Sequence, residues 1–177
     1  TQGFIDDAHG RWLIPGISGA YTETTPLFDR IAAARSLGAT VHCGGREVAP
    51  SELPTRCADG FFYQPTVLGG LDPGCRVEQE EIFGPVVSVT PFDNEDEALR
   101  LANGTAYGLA CTIWTRDLAR AHRVAAGVAC GVVWVNCWMV RDLRTPFGGM
   151  RASGVGREGG TEALGFFTEP KNVCVRF

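Results

Sequence analysis

Between Val86 and Asn136 the sequence runs strand, helix, strand, helix, strand, and this rhythm limits the possible fold more than any other feature of the chain. Val86 to Phe92 is an apolar, β-branched run of the kind buried on both faces of a parallel sheet. Asn94 then opens a helix with Glu95, Asp96 and Glu97 in its first turn, where acids complement the helix dipole, and the helix is expected to end near Gly104. Cys111 to Thr115 reads as the next strand. Asp117 caps a second helix running to about Gly127, and Val132 to Asn136 is a third strand of the buried type. Two such units in succession predict parallel strands joined by right-handed crossovers, an α/β fold built on a parallel-type sheet with flanking helices.

The flanks are less regular. Thr22 to Leu37 carries a helical apolar spacing (Leu27, Ile31, Ala34, Leu37) that stops at Gly38. A short strand, Thr40 to Cys43, leads into Gly44-Gly45, and Pro50 to Asp59 reads as a loop. Phe61 to Leu68 is extended, with Pro65 expected to place it at an edge or bend. A glycine-rich stretch spans Pro146 to Gly160, followed by a short helix from about Thr161. In the last segment Val173, Val175 and Phe177 alternate with Asn172, Cys174 and Arg176, as an extended strand would.

Composition excludes several classes. An apolar fraction of 45%, a charged fraction of 20% and a net charge of −4 with mixed signs describe a globular chain with no basic face for nucleic acid or an anionic membrane. No apolar run has the length of a membrane span. The 7 cysteines are scattered without a Cys-x-x-Cys pair, and the 3 histidines lie far apart, so no metal site is expected. That pattern reads as reduced, mostly buried thiols of a cytoplasmic protein.

Gly154-Val155-Gly156-Arg157-Glu158-Gly159 fits the dinucleotide pattern G-x-G-x-x-G. That motif works only directly after a strand, before a helix and with an acid further on to hold the ribose. Here the preceding strand is expected to end near Asn136, and too little chain follows to complete the unit. A glycine-rich loop shaped for close packing accounts better for the run.

Three blocks together resemble the aldehyde dehydrogenase superfamily. They are Glu80-Glu81-Ile82-Phe83-Gly84-Pro85, then Asn103-Gly104-Thr105-Ala106-Tyr107-Gly108-Leu109, then Val135-Asn136 followed by the stretch from Pro146 to Glu158. They stand in the family's order and approximate spacing, and the likeness runs from about Ile17 to the end. The segment Asn136 to Phe147 is similar to the branch that oxidises 2-aminomuconic and 2-hydroxymuconic semialdehydes. The resemblance implies the C-terminal part of the catalytic domain, here residues 17–165, with an atypical segment 1–16 before it. It also implies a terminal oligomerisation strand, 166–177, that joins a sheet across subunits of a homo-oligomer.

The resemblance further implies oxidation of an aldehyde to a carboxylate with NAD. Glu81 would match the acid on the ribose beside the nicotinamide, a task suited to a carboxylate that accepts from both hydroxyls. Phe83 would match the aromatic against the nicotinamide ring. Read from the residues alone, Glu80 and Glu81 are solvated acids and Phe83 is core. Arg141 would hold a substrate carboxylate in a guanidinium fork, or else pair with Asp142 or a helix end. Trp138 and Phe147 would wall the substrate funnel, or simply pack.

The family nucleophile, in a Gly-Gln-x-Cys type motif, is expected upstream of Thr1, as are the general base and most of the cofactor-binding sheet. No catalytic residue is therefore assigned within the chain, which is expected to be inactive by itself. The alternative is a non-catalytic remnant or oligomerisation module. Residues 1–15 do not match the family, and Phe4, Trp12, Leu13 and Ile14 form a foreign apolar sequence.

Overall fold

The computed structural model describes residues 2–7, 10–15, 25–57 and 62–177, the first two of these segments by their backbone. In chain order, β1 (Gln2–Asp7) and β2 (Gly10–Pro15) precede α1 (Thr25–Ser36), β3 (Thr40–Cys43), β4 (Thr66–Gly69), the short α2 (Arg76–Gln79) and β5 (Val86–Pro91). There follow α3 (Glu95–Ala102), β6 (Tyr107–Gly108), β7 (Ala110–Trp114), α4 (Leu118–Gly127), β8 (Val132–Val135), β9 (Met150–Arg151) and α5 (Gly160–Phe167). The main sheet has 7 strands in the order β3-β4-β5-β2-β1-β7-β8, and β6 pairs with β9 in a separate antiparallel ribbon.

The central rhythm forms for the reasons its sequence suggests. The Asn94 side chain accepts from Glu97 N at 2.9 Å to cap α3, while Glu97 reaches back to Asp93 N at 2.8 Å. Asp117 accepts from Arg120 N at 3.0 Å to cap α4. Glu95 on α3 then accepts from Nε and Nη2 of Arg123 on α4, each at 2.9 Å, which ties the two helices together. Ala98, Leu101, Ile113 and Val124 are buried in one cluster between these helices and β7. A second cluster gathers Leu27, Ile31 and Ala34 of α1 with Leu68, Val77 and Val86. Leu37, expected on that stripe, is 54% exposed because α1 has already ended and Gly38 turns the chain at φ +88°.

Several expectations are corrected. β7 and β8 are parallel neighbours, but β5 and β7 are not paired, since the β1–β2 hairpin enters the sheet between them. Trp12 pairs with Pro91 on one side and Gln2 with Cys111 on the other. This hairpin comes from the segment with no family likeness and had no sequence signal as a strand pair. Pro65 does not mark an edge: it stands just before β4, which runs antiparallel to β3 and parallel to β5, so the missing N–H falls outside the ladder. Within the stretch expected as a loop, the described residues 50–57 contain two short 3₁₀ turns, Pro50–Glu52 and Thr55–Cys57, and residues 58–59 lie outside the described residues. Helix α5 runs through Phe167, so Phe166 and Phe167 are helical, and residues 168–177 pair with no strand among the described residues.

The glycine-rich run also departs from the dinucleotide pattern. The strand nearest it, β9, pairs antiparallel with β6 outside the main sheet. Gly156 sits at φ +73° with the Phe166 ring 2.4 Å from where a Cβ would be, so close packing is what this glycine permits. No described helix is long and apolar enough to cross a membrane.

Candidate functional site

A cleft of about 420 Å³ opens beside β5, with Val86 and Ser88 in its lining. Its near wall is the segment Glu80 to Gly84, its far wall Thr105, Tyr107, Gly108 and Leu109, and Ser88 and Cys130 lie between. Its volume lies within the range of ordinary small-molecule sites. Glu81 and Phe83, singled out from sequence, both line it.

The near wall is shaped by an unusual backbone. Phe83 adopts φ +57°, a left-handed conformation that bulky residues rarely take. The residue is 54% exposed, so it is not the core residue that its apolarity alone suggests. Downstream, the Thr66 amide donates to the Pro85 carbonyl at 2.8 Å and moors the segment to β4. Glu81 is exposed and makes no hydrogen bond or ion pair among the described residues, leaving its carboxylate available to accept two hydroxyls. A free carboxylate beside a half-exposed aromatic in one cleft fits a ribose diol carrying a flat heteroaromatic ring.

Glu78 had no sequence signal. Its Oε2 accepts from the Ser88 hydroxyl at 2.8 Å, while Oε1 is buried without a partner. Burial pushes its carboxyl above the ordinary range, and the Ser88 hydrogen bond offsets only part of that rise.

The far wall is held by the motif residues quoted from sequence. Asn103 donates from Nδ2 to Gly127 O at 2.9 Å and accepts from Ala129 N at 2.7 Å. Arg151 Nη1 donates to the carbonyls of Asn103 at 2.8 Å and Thr105 at 2.7 Å, and the Gly108 amide donates to Ser153 Oγ at 3.0 Å. Asn136, at φ +53°, accepts from Thr115 N at 2.9 Å and donates to Thr115 O at 2.8 Å, so its amide prolongs the β7–β8 ladder. These asparagines act on the backbone, not in the cleft.

The other three sequence candidates lie apart from the cleft lining. Arg141 sits over the Phe147 ring, 4.2 Å from its centroid, and donates from Nη2 to Glu158 Oε1 at 2.7 Å. Its ion pair is thus with Glu158, seventeen residues on, and not with Asp142, which pairs with Arg144. Trp138 packs on Trp134 with ring centroids 5.4 Å apart and no described contact to the Arg141–Phe147 pair.

None of the 7 cysteines stands in a Gly-Gln-x-Cys motif. The expectation of mostly buried thiols is also corrected: Cys111 and Cys130 are buried, Cys75 and Cys137 half-buried, Cys43 and Cys174 exposed, and Cys57 lies outside the described side chains. Burial pushes the Cys111 thiol up to about 12 and raises that of Cys130, the reverse of what a nucleophile needs. Among the described residues no group of three His, Cys, Asp or Glu side chains comes together as a metal site would require.

The chain is 51% identical over 146 residues to the 2-aminomuconic semialdehyde dehydrogenase of Danio rerio, a match covering 82% of this chain and 30% of that protein. It is 54% identical over 139 residues to the 2-hydroxymuconic semialdehyde dehydrogenase of Pseudomonas sp. (strain CF600), covering 78% of this chain and 28% of that protein. The chain therefore spans about 30% of the length of these relatives. Among solved structures it resembles the indole-3-acetaldehyde dehydrogenase AldA of P. syringae in complex with NAD+ and IAA, with a TM-score of 0.75 and 39% identity over 82% of this chain and 28% of that one. The family model that describes the aldehyde dehydrogenase family matches residues 23–173, so the matched region contains the cleft, both of its walls and the Arg141 pair, and leaves out the β1–β2 hairpin. On the match of that model over most of its length, the chain belongs to the aldehyde dehydrogenase family.

Proposed function

We propose that the chain is the C-terminal part of an NAD-dependent dehydrogenase that oxidises a muconic semialdehyde to the carboxylate. The observation that carries this is the cleft in which an unpaired Glu81 carboxylate and a half-exposed Phe83 ring meet, inside the region matched by the family. NAD, when bound, supplies the hydride acceptor. Glu81 would accept the hydroxyls of the nicotinamide ribose, and Phe83 would set the lateral position of the ring. The nucleophilic cysteine would come from sequence upstream of residue 1, which agrees with the raised thiols of Cys111 and Cys130.

The muconic branch is supported by the two relatives above and by Arg141. Its Nη2 serves Glu158 and its face meets Phe147, which leaves further N–H groups of the guanidinium for a substrate carboxylate. The clamp would serve a 2-amino and a 2-hydroxy substrate alike.

The test is an NADH-release assay with a muconic semialdehyde on this chain and on a form extended upstream through a Gly-Gln-x-Cys motif. Turnover by the extended form alone supports the reading. Turnover by the short chain would move the nucleophile to one of its own cysteines. A second reading, a non-catalytic oligomerisation module, is favoured by the exposed Val173, Val175 and Phe177 and by the absence of the nucleophile motif. It prevails if the extended form also fails to make NADH.

A further inference from the structure

We infer that Arg30, Glu80 and Arg76 form a brace that positions the segment carrying Glu81 and Phe83. The inference rests on the reading of those two residues as cofactor contacts. The adjacent acids divide the work: Glu80 is spent on structure, and Glu81 is left for ligand.

Both oxygens of Glu80 are engaged from different helices. Arg76 Nε, on α2, donates to Oε1 at 2.8 Å, and Arg30 Nη1, on α1, is ion-paired with Oε2. The hydrogen bond from Arg76, with the charge of Arg30 beside it, holds this carboxyl below the ordinary range. The two partners are not equivalent. The Arg76 side chain is 69% exposed and that of Arg30 only 20%. Arg30 Nη1 is buried without a hydrogen bond of good geometry, so Glu80 is the anion that answers its charge. Arg30 is the sheltered member of the pair and Glu80 the solvated one, so losing Glu80 leaves the Arg30 head without its anion, whereas losing Arg30 leaves Glu80 to water and Arg76.

The geometry downstream explains why a brace is needed. Glu80 is extended, at φ −107° and ψ 144°, so the side chains of Glu80 and Glu81 diverge. Three residues on, Phe83 holds its left-handed backbone, a conformation that persists only where the surroundings over-determine it. The Glu80 brace fixes the upstream end of the segment, and the Thr66 N to Pro85 O hydrogen bond fixes the downstream end. Arg30, fifty residues away in sequence, acts through Glu80 and is not among the residues that line the cleft.

The experiment uses the 177-residue chain and two readouts. One is binding of nicotinamide mononucleotide, which carries only the ribose in question, by saturation-transfer NMR. The other is hydrogen exchange of the Glu80, Thr66 and Val86 amides, whose hydrogen bonds flank the segment from Glu81 to Gly84. Arg30→Met and Glu80→Gln are expected to weaken binding by about tenfold or more and to speed exchange at those amides, with exchange in β7 and β8 unchanged. Arg30→Lys should restore part of both, and Arg76→Met should act more weakly. If Arg30→Met does not fold, Glu80→Gln and Arg30→Lys carry the comparison. Wild-type protection and affinity in Glu80→Gln would overturn the brace. Failure of the wild-type chain to bind the mononucleotide would instead overturn the cofactor reading of the cleft, while exchange still decides the brace.

Discussion

Arg141 and Glu158 are joined at 2.7 Å across the base of the glycine-rich segment, with Phe147 beneath the guanidinium at 4.2 Å from its centroid. The backbone closes the same loop, since Phe147 and Glu158 exchange hydrogen bonds of 2.7 Å in both directions. The ring and the carboxylate fix the arginine's position without using up its donors. In a form carrying the nucleophile, Arg141→Met is therefore expected to raise KM for a carboxylate-bearing aldehyde by about 10- to 100-fold, the loss of a charged hydrogen bond. A neutral aldehyde should be almost unaffected. Equal losses for both substrates would assign Arg141 to structure alone.

Glu78 supplies a pH dependence. Burial raises its folded-state carboxyl above the unfolded value, so the folded chain binds the proton more readily than the unfolded one. The resulting penalty is complete above the raised folded value and vanishes below the unfolded one. Glu78→Gln should therefore gain stability relative to wild type at about pH 8, with the gain shrinking toward about pH 5. The comparison is a pair of urea midpoints at each pH. A difference that stays constant across that range would show that the carboxyl does not titrate differently in the two states.

Asn136→Ala removes both hydrogen bonds to buried Thr115 and leaves alanine at φ +53°. Loss of about 1–3 kcal/mol is expected in chemical denaturation. Asn136→Asp keeps an acceptor for the Thr115 amide but faces its carbonyl with a second acceptor, so it should rescue little. Full stability in either variant would mean the ladder ends at Val135.

Two glycines separate close packing from mere flexibility. A Cβ on Gly131 would fall 1.6 Å from Gly148 O, whereas one on Gly165 in α5 would meet nothing within 4 Å. Gly131→Ala should destabilise by about 3 kcal/mol or more. Gly165→Ala should stabilise by roughly 0.5–1 kcal/mol through helix propensity. Thermal melts of the two variants, moving in opposite directions, are the expected result.

Residues 168–177 leave Val173, Val175 and Phe177 exposed, with no strand partner among the described residues. Self-association through this segment is expected, since unpaired apolar chain seeks a sheet edge. Light scattering should show deletion of 168–177 lowering the average mass. An unchanged monomeric mass in both forms would argue against pairing here.

What the sequence determined by itself was local. The caps at Asn94 and Asp117, the acids in the first turn of α3 and the β-branched runs act within a few residues, and each is where the spacing predicts it. Glu81 and Phe83 were singled out for a different reason, by the resemblance of the short block they sit in, and both line the cleft. Tertiary structure decided the rest, through contacts over long separations that no local pattern encodes. The pairing of Arg30 with Glu80 spans two elements, and Arg141 takes Glu158 although Asp142 is its neighbour. The β1–β2 hairpin occupies the sheet between β5 and β7 because two strand edges stand open there, a vacancy visible only once the sheet is assembled.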